Sequence, residues 1–243
     1  MYISEPGLAE AATRELYSDI KRLPAALAEL EECLKRGVVE GGGLGELIVR
    51  LLLLLARHKI ELAKKPPEEW DFSCPVTVDD FLRSLFNPEA VERLPERLKS
   101  AQLAFTHFVH VDYTPETFDE LRAFLFRCAA VCCKNGERGI DFLLPIMLDP
   151  GEAKQQISFI LVQSKNLLSR DVDKLYPKSV IDHMKASYVF EDSELGSADP
   201  SDKDEGFPYV SLYFQIGSER PRTEQLQSPH KRERPARSAQ QKD

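Results

Sequence analysis

Long apolar runs are missing from this 243-residue chain. The longest, residues 47–56, is interrupted by Arg50 and falls well short of the ~20 residues that cross a bilayer. The opening MYISEPGLAEAATREL is acidic and has no apolar signal region. The expectation is therefore an intracellular protein, nuclear or cytoplasmic, with no membrane partner. Cysteine pairs of the CxxC type are absent too. Cys33, Cys74, Cys128, Cys132 and Cys133 are odd in number, and three of them lie in the apolar RCAAVCCK. That usage predicts reduced thiols acting as small hydrophobes. None of the five histidines stands at zinc-ligand spacing from a cysteine. His107 and His110, in THFVH, invite a metal reading but have no second ligand pair nearby, so they read as packed or surface side chains. Walker A, GxGxxG and GxSxG motifs do not occur, which removes the basis for nucleotide hydrolysis, dinucleotide binding and α/β-hydrolase chemistry.

What is present is a length suited to one elaborated domain or two small ones, with 42% hydrophobic and 30% charged residues. The charge is uneven. Residues 217–243 hold 7 basic and 4 acidic side chains, leaving 25 basic against 36 acidic over residues 1–216. An acidic body argues against nonspecific coating of DNA. The tail has no aromatic side chain and is expected to be disordered, and its HKRERPAR stretch reads as a solvated arm.

Residues 5–36 carry helical periodicity through Leu16, Ile20, Leu23, Leu27, Leu30 and Cys33. Gly37 and the Gly41-Gly42-Gly43 run break it. A second helix is expected over residues 44–64, stopped by Pro66-Pro67. Residues 66–114 read as short helices and loops, with Thr77 capping FLRSLF. Thr114-Pro115 opens a further helix to about Arg127. A short strand over residues 128–134 then leads to the hairpin signal Asn135-Gly136. Strands follow at GIDFLLPIML and ISFILVQSKN, separated by the turn Asp149-Pro150-Gly151. A helix over 171–185, an acidic loop over 191–206 and a last strand over 208–216 complete the order. Helix, insertion, three strands, helix, strand predicts an α/β fold with helices on a mixed sheet. The implied division is a helical segment 1–39, an α/β domain 40–216 with a helical insertion at about 66–126, and the tail.

Three places set polar groups among apolar ones. In LGELIVRLLLLLARHK, Glu46, Arg50 and Arg57 fall within about 40° on a wheel of ~100° per residue. Such a stripe meets solvent or faces a polar pocket, solvent being the favoured reading, with Arg50 and Arg57 read as helix-surface ion-pair partners ahead of phosphate contacts. Asp141 opens an apolar strand, where a carboxylate needs a partner or a cation. Ile157, Phe159, Leu161, Gln163 and Lys165 share one strand face that turns polar in its last two positions.

An acid on a helix, an Asp on one strand and Gln163-x-Lys165 on the next resemble the PD-(D/E)xK nuclease superfamily. That superfamily has an αβββαβ, restriction-endonuclease-like core with an acid on the first helix, an Asp on the second strand and (D/E/Q)-x-K on the third. GELIVRLLLLLARHK, FLRSLF, FTHFV, GIDFLLPI and ILVQSKN are also similar to uncharacterised fungal proteins associated with crinkler-type and mobile-element sequences. The resemblance covers roughly residues 40–216. It implies hydrolysis of phosphodiester bonds in nucleic acid, DNA first, with one Mg²⁺ held by Asp141, Glu46 and either the Gln163 side chain or the Val162 backbone carbonyl. Lys165 would orient water or stabilise developing charge. Gln163 stands where the pattern usually has a carboxylate, so the site carries one negative charge fewer. From that departure follows the alternative, a noncatalytic interaction or effector-type protein that keeps the fold. A third reading makes the middle strands buried helices of an all-helical adaptor.

Overall fold

A computed structural model describes residues 6–36, 41–134, 139–151, 156–166, 184–190 and 207–216. The chain begins with α1 (Pro6–Tyr17) and α2 (Arg22–Lys35), so the periodic stretch 5–36 is two helices. The break falls where Asp19 Oδ1 accepts the Lys21 N–H, a local turn that competes with the helix ladder. Ile20 is left 89% exposed and α2 buries no side chain, so the leucine stripe there does not mark a core.

The helix α3 (Gly41–Lys64) starts on the glycines themselves. Val49, Leu53, Ala56 and Ile60 recur at four- and three-residue steps and are buried on the sheet side. After it come β1 (Val76–Thr77), α4 (Val78–Leu85), α5 (Pro88–Val91), α6 (Glu96–Lys99), β2 (Gln102–Leu103) and β3 (His107–His110). The Thr77 side chain accepts the Asp80 N–H and caps α4, as its sequence predicts. The expectation of a purely helical insertion is corrected: β1, β2 and β3 all join the sheet.

The helix α7 (Phe118–Phe126) is capped by Thr117 rather than Thr114. Thr117 has Glu120 three residues on, and the two side chains bond each other's backbone N–H groups, which Thr114 cannot match. Then follow β4 (Ala129–Cys132), β5 (Phe142–Leu148), β6 (Gln156–Asn166) and β7 (Val210–Ile216). Asp149 (φ 51°) and Gly151 (φ 98°) make the predicted turn after β5, where small or glycine residues tolerate the left-handed backbone. The hairpin at 135–136, the helix at 171–185, the loop at 191–206 and the tail at 217–243 lie outside the described residues.

The strands form one mixed sheet, which ends the all-helical reading. Along one edge β5 pairs antiparallel with β6, and β6 pairs parallel with β7. The other edge of β5 is shared: Phe142 and Leu143 pair with β4, while Ile146 and Met147 pair with β2. Beyond these, β4 carries β3 in parallel and β2 carries β1. The sheet is therefore forked. Pro145, with no N–H to give, falls between the two prongs, where a missing donor costs least.

Helices cover both faces. On one, α3 and α4 pack Val49, Leu53, Phe81 and Leu82 against Phe142, Leu144, Ile160, Val162 and Leu212. On the other, Leu121, Phe124 and Leu125 of α7, with Met184, Val189 and Phe190, pack against Leu143, Ile157, Phe159 and Leu161. Phe159 stacks on Phe118, Phe190 and Phe207 at centroid distances of 6.5, 4.5 and 5.7 Å. Tyr209 and Tyr213 pack against this second layer.

Candidate functional site

The polar stripe of α3 does not face solvent, contrary to its sequence reading. Arg57 is fully buried, and Glu46 and Arg50 are half-buried. The reason is the loop after α3, which supplies acceptors. Arg57 Nη2 donates to the Phe72 carbonyl at 3.1 Å and to that of Cys74. Its Nε and Nη1 are buried without an acceptor, and burial holds its pKa below the usual arginine range. Glu61 accepts the Asp71 N–H at 2.8 Å and pairs with Lys65 at 2.9 Å. Arg57 is thus a clamp on that loop, while Glu46 and Arg50 sit nearer the helix start.

Asp141 precedes β5 by one residue. The last β5–β6 pair joins Phe142 and Val162, so Asp141 comes opposite Gln163. Its Oδ2 accepts three hydrogen bonds from β6: Gln163 Nε2 at 2.8 Å, Ser164 N–H at 2.6 Å and Ser164 Oγ at 2.7 Å. The carboxylate's bonds all fall on that oxygen, leaving Oδ1 uncommitted among the described residues. Gln163 is 1% exposed. Its Nε2 donates to Asp141 and to the Ser164 carbonyl at 3.1 Å. Both are acceptors, so the amide orientation is fixed, and Oε1 is left buried with no donor. An unmade bond of this kind costs about 1–3 kcal/mol unless something fills it.

Glu46 reaches this group from the helix. Its carboxyl pKa is raised, first by burial and then by the negative charge of Asp141, against the opposing charges of Arg50, Lys165 and His110. The fold thus brings Glu46 within electrostatic reach of Asp141 and of Lys165, and Gln163 bonds Asp141 directly. Lys165 is half-buried at the end of β6. The Val162 carbonyl accepts the Asp141 N–H at 2.8 Å, so that oxygen is already engaged in the strand ladder. Among the described residues no three His, Cys, Asp or Glu side chains gather as a metal site by themselves.

The position of the cluster follows from strand direction. The ends of β3, β4 and β6 and the start of β5 meet at one rim of the sheet, the side on which open α/β sheets place their ligands. A family model described as Domain of unknown function (DUF8736) matches residues 1–242. The chain belongs to that family. No curated protein and no solved structure matches it.

In this DUF8736 chain Ser164 escapes the sequence reading, while Arg50 and His110, both singled out there, have surroundings it does not foresee. Ser164 supplies two of the three bonds that hold Asp141. A hydroxyl two residues past Val162, on the strand face that carries Ile160 and Val162, is its signal. Arg50 reads as a helix-surface ion-pair residue, yet its Nη1 contacts Cys132 Sγ at 3.9 Å and its Nε is buried without an acceptor. His110 ends β3, exposed, and acts on Glu46 through its charge. Its place became visible only once β3 was a strand. None of the five cysteines is in a disulfide.

Proposed function

We propose that the chain is a nuclease-like domain that hydrolyses phosphodiester bonds of nucleic acid, DNA first, in a site that takes Mg²⁺. The observation that carries the reading is the buried, unpartnered Gln163 Oε1 on the amide that bonds Asp141, whose second oxygen has no partner among the described residues, with Glu46 under the charges of both Asp141 and Lys165. The order α3, β4, β5, β6 and then β7, with the acid on the helix, Asp141 at the second of these strands and Gln163-x-Lys165 on the third, supports a restriction-endonuclease-like core.

The donor set fits a hard cation. Asp141 Oδ1, the Glu46 carboxylate and Gln163 Oε1 are all oxygens, and a neutral amide carbonyl is an accepted ligand among carboxylates. Such an ion supplies a Lewis acid for the phosphate and an acidified water. The protein does the rest. Ser164 and Gln163 fix the Asp141 carboxylate through Oδ2, so its second oxygen is presented without side-chain search. Lys165 offers its ammonium to charge developing on the phosphate oxygens. A cation would also hold Glu46 ionised against the burial that raises its pKa.

Plasmid and single-stranded DNA cleavage with Mg²⁺ tests this. Asp141→Ala and Lys165→Ala are expected to lower the rate by two orders of magnitude or more, while Asp149→Ala, which removes an exposed Arg97 partner, leaves it unchanged. Equal cleavage in all three variants would sink the reading. One observation favours a noncatalytic fold instead: no third carboxylate, histidine or thiol joins Glu46 and Asp141 among the described residues. Binding of Mn²⁺ to the wild type, lost in Asp141→Ala, decides between the two.

A further inference from the structure

The sheet face beneath α3 carries polar groups that the carboxylate cluster leaves unused. Strand register aligns His110 with Cys132, Cys132 with Phe142, Phe142 with Val162 and Val162 with Leu212. Cys132, Phe142, Val162 and Leu212 belong to the layer covered by α3, so His110 ends that row on the same face. Arg50 lies over the row, one helical turn beyond Glu46, with Nη1 against the Cys132 sulfur. That sulfur is a weak acceptor and no counter-charge, because burial pushes the thiol up to about 11. Arg50 Nε–H remains buried and unfilled. Arg57 differs, since its guanidinium is sealed inside and already holds two carbonyls.

We propose that Arg50 and His110 form an oxyanion subsite that takes a phosphate of a nucleic-acid strand beside the carboxylate cluster. A planar guanidinium with an open N–H edge matches phosphate oxygens, which a lysine ammonium does not reproduce. A strand fits better than a free phosphate. His110 on β3 and Lys165 on β6 stand three strand spacings apart, about 14 Å at ~4.8 Å each, and Lys165 lies three residues past the His110 row, about 10 Å further along β6, so the pair exceeds one phosphate and suits successive ones. The nature of the strand rests on the phosphodiester reading above; the subsite itself requires no metal.

The test is fluorescence anisotropy with a labelled single-stranded oligonucleotide in EDTA across a salt series, beside inorganic phosphate as competitor. Arg50→Lys is expected to weaken binding about tenfold with the salt slope kept. Arg50→Ala weakens it as much and makes the slope shallower by about 0.7, one phosphate contact. His110→Gln weakens it severalfold, and millimolar phosphate displaces little of the strand. Arg122→Ala, an exposed α7 arginine paired with Asp119, binds as wild type. Thermal melts confirm that each variant is folded. Arg50→Lys binding like wild type, Arg122→Ala binding as weakly as Arg50→Ala, or no binding in EDTA overturns the subsite. Efficient displacement by phosphate assigns the subsite to the free anion and overturns the strand. Mn²⁺ titration separates the two ideas: wild type that takes no Mn²⁺ but binds strands through Arg50 sinks the metal and keeps the subsite.

Discussion

His58 stands one residue from the Arg57 clamp and is 5% exposed. Its Nδ1 meets the Tyr17 hydroxyl at 3.3 Å, and its Nε2 is buried without a partner. Burial, with the Arg57 charge second, lowers its pKa to about 4. The folded chain therefore keeps the ring neutral where the unfolded chain, near 6.5, already takes up a proton. The stability that this gives is complete above about pH 6.5 and drains as pH falls toward 4, by about 3 kcal/mol for a shift of this size. Urea unfolding at pH 7.5 and 4.5 measures it; in His58→Phe the difference should shrink by most of that amount. An unchanged difference would mean that other groups carry the acid sensitivity. At this scale the sequence exposes Glu46, Asp141, Gln163 and Lys165, because each interrupts an apolar pattern. It hides Ser164 and shows Arg50 without its surroundings, because both roles depend on which backbone or sulfur atom lies opposite.

Elements were legible where local chemistry and tertiary packing agree. The apolar runs of β5, β6 and β7 and the Pro66 stop after α3 needed no partner to be seen. The two-residue strands β1 and β2 have no internal pattern, and β3 is four residues with a histidine at each end. Pairing alone makes them strands. For α7, the sequence offers two threonines in cap position, and the reciprocal bonds to Glu120 select the second. Thr117→Ala should therefore cost about 1 kcal/mol in urea unfolding, while Thr114→Ala costs less. The reverse order would return the cap to Thr114.

On the scale of the whole molecule, α1 is fastened to the body by an aromatic seam. Tyr17 packs edge-on against His58 at 5.5 Å and Trp70 at 6.3 Å, and stacks on Phe72 at 6.1 Å. Ser73 Oγ donates to Glu10 at 2.8 Å. Trp70 is the chain's one tryptophan, so its emission reports on the seam. Tyr17→Ala should shift that emission to the red without loss of far-ultraviolet sheet signal; emission as in wild type would show that α1 contributes nothing to the shielding of Trp70. The forked sheet has a further consequence. Among the described residues its two prongs have no ladder with each other, and both lean on β5. That strand is the keystone of the architecture: neither prong has an edge to dock on until β5 is laid down, although all four of their strands are synthesised before it.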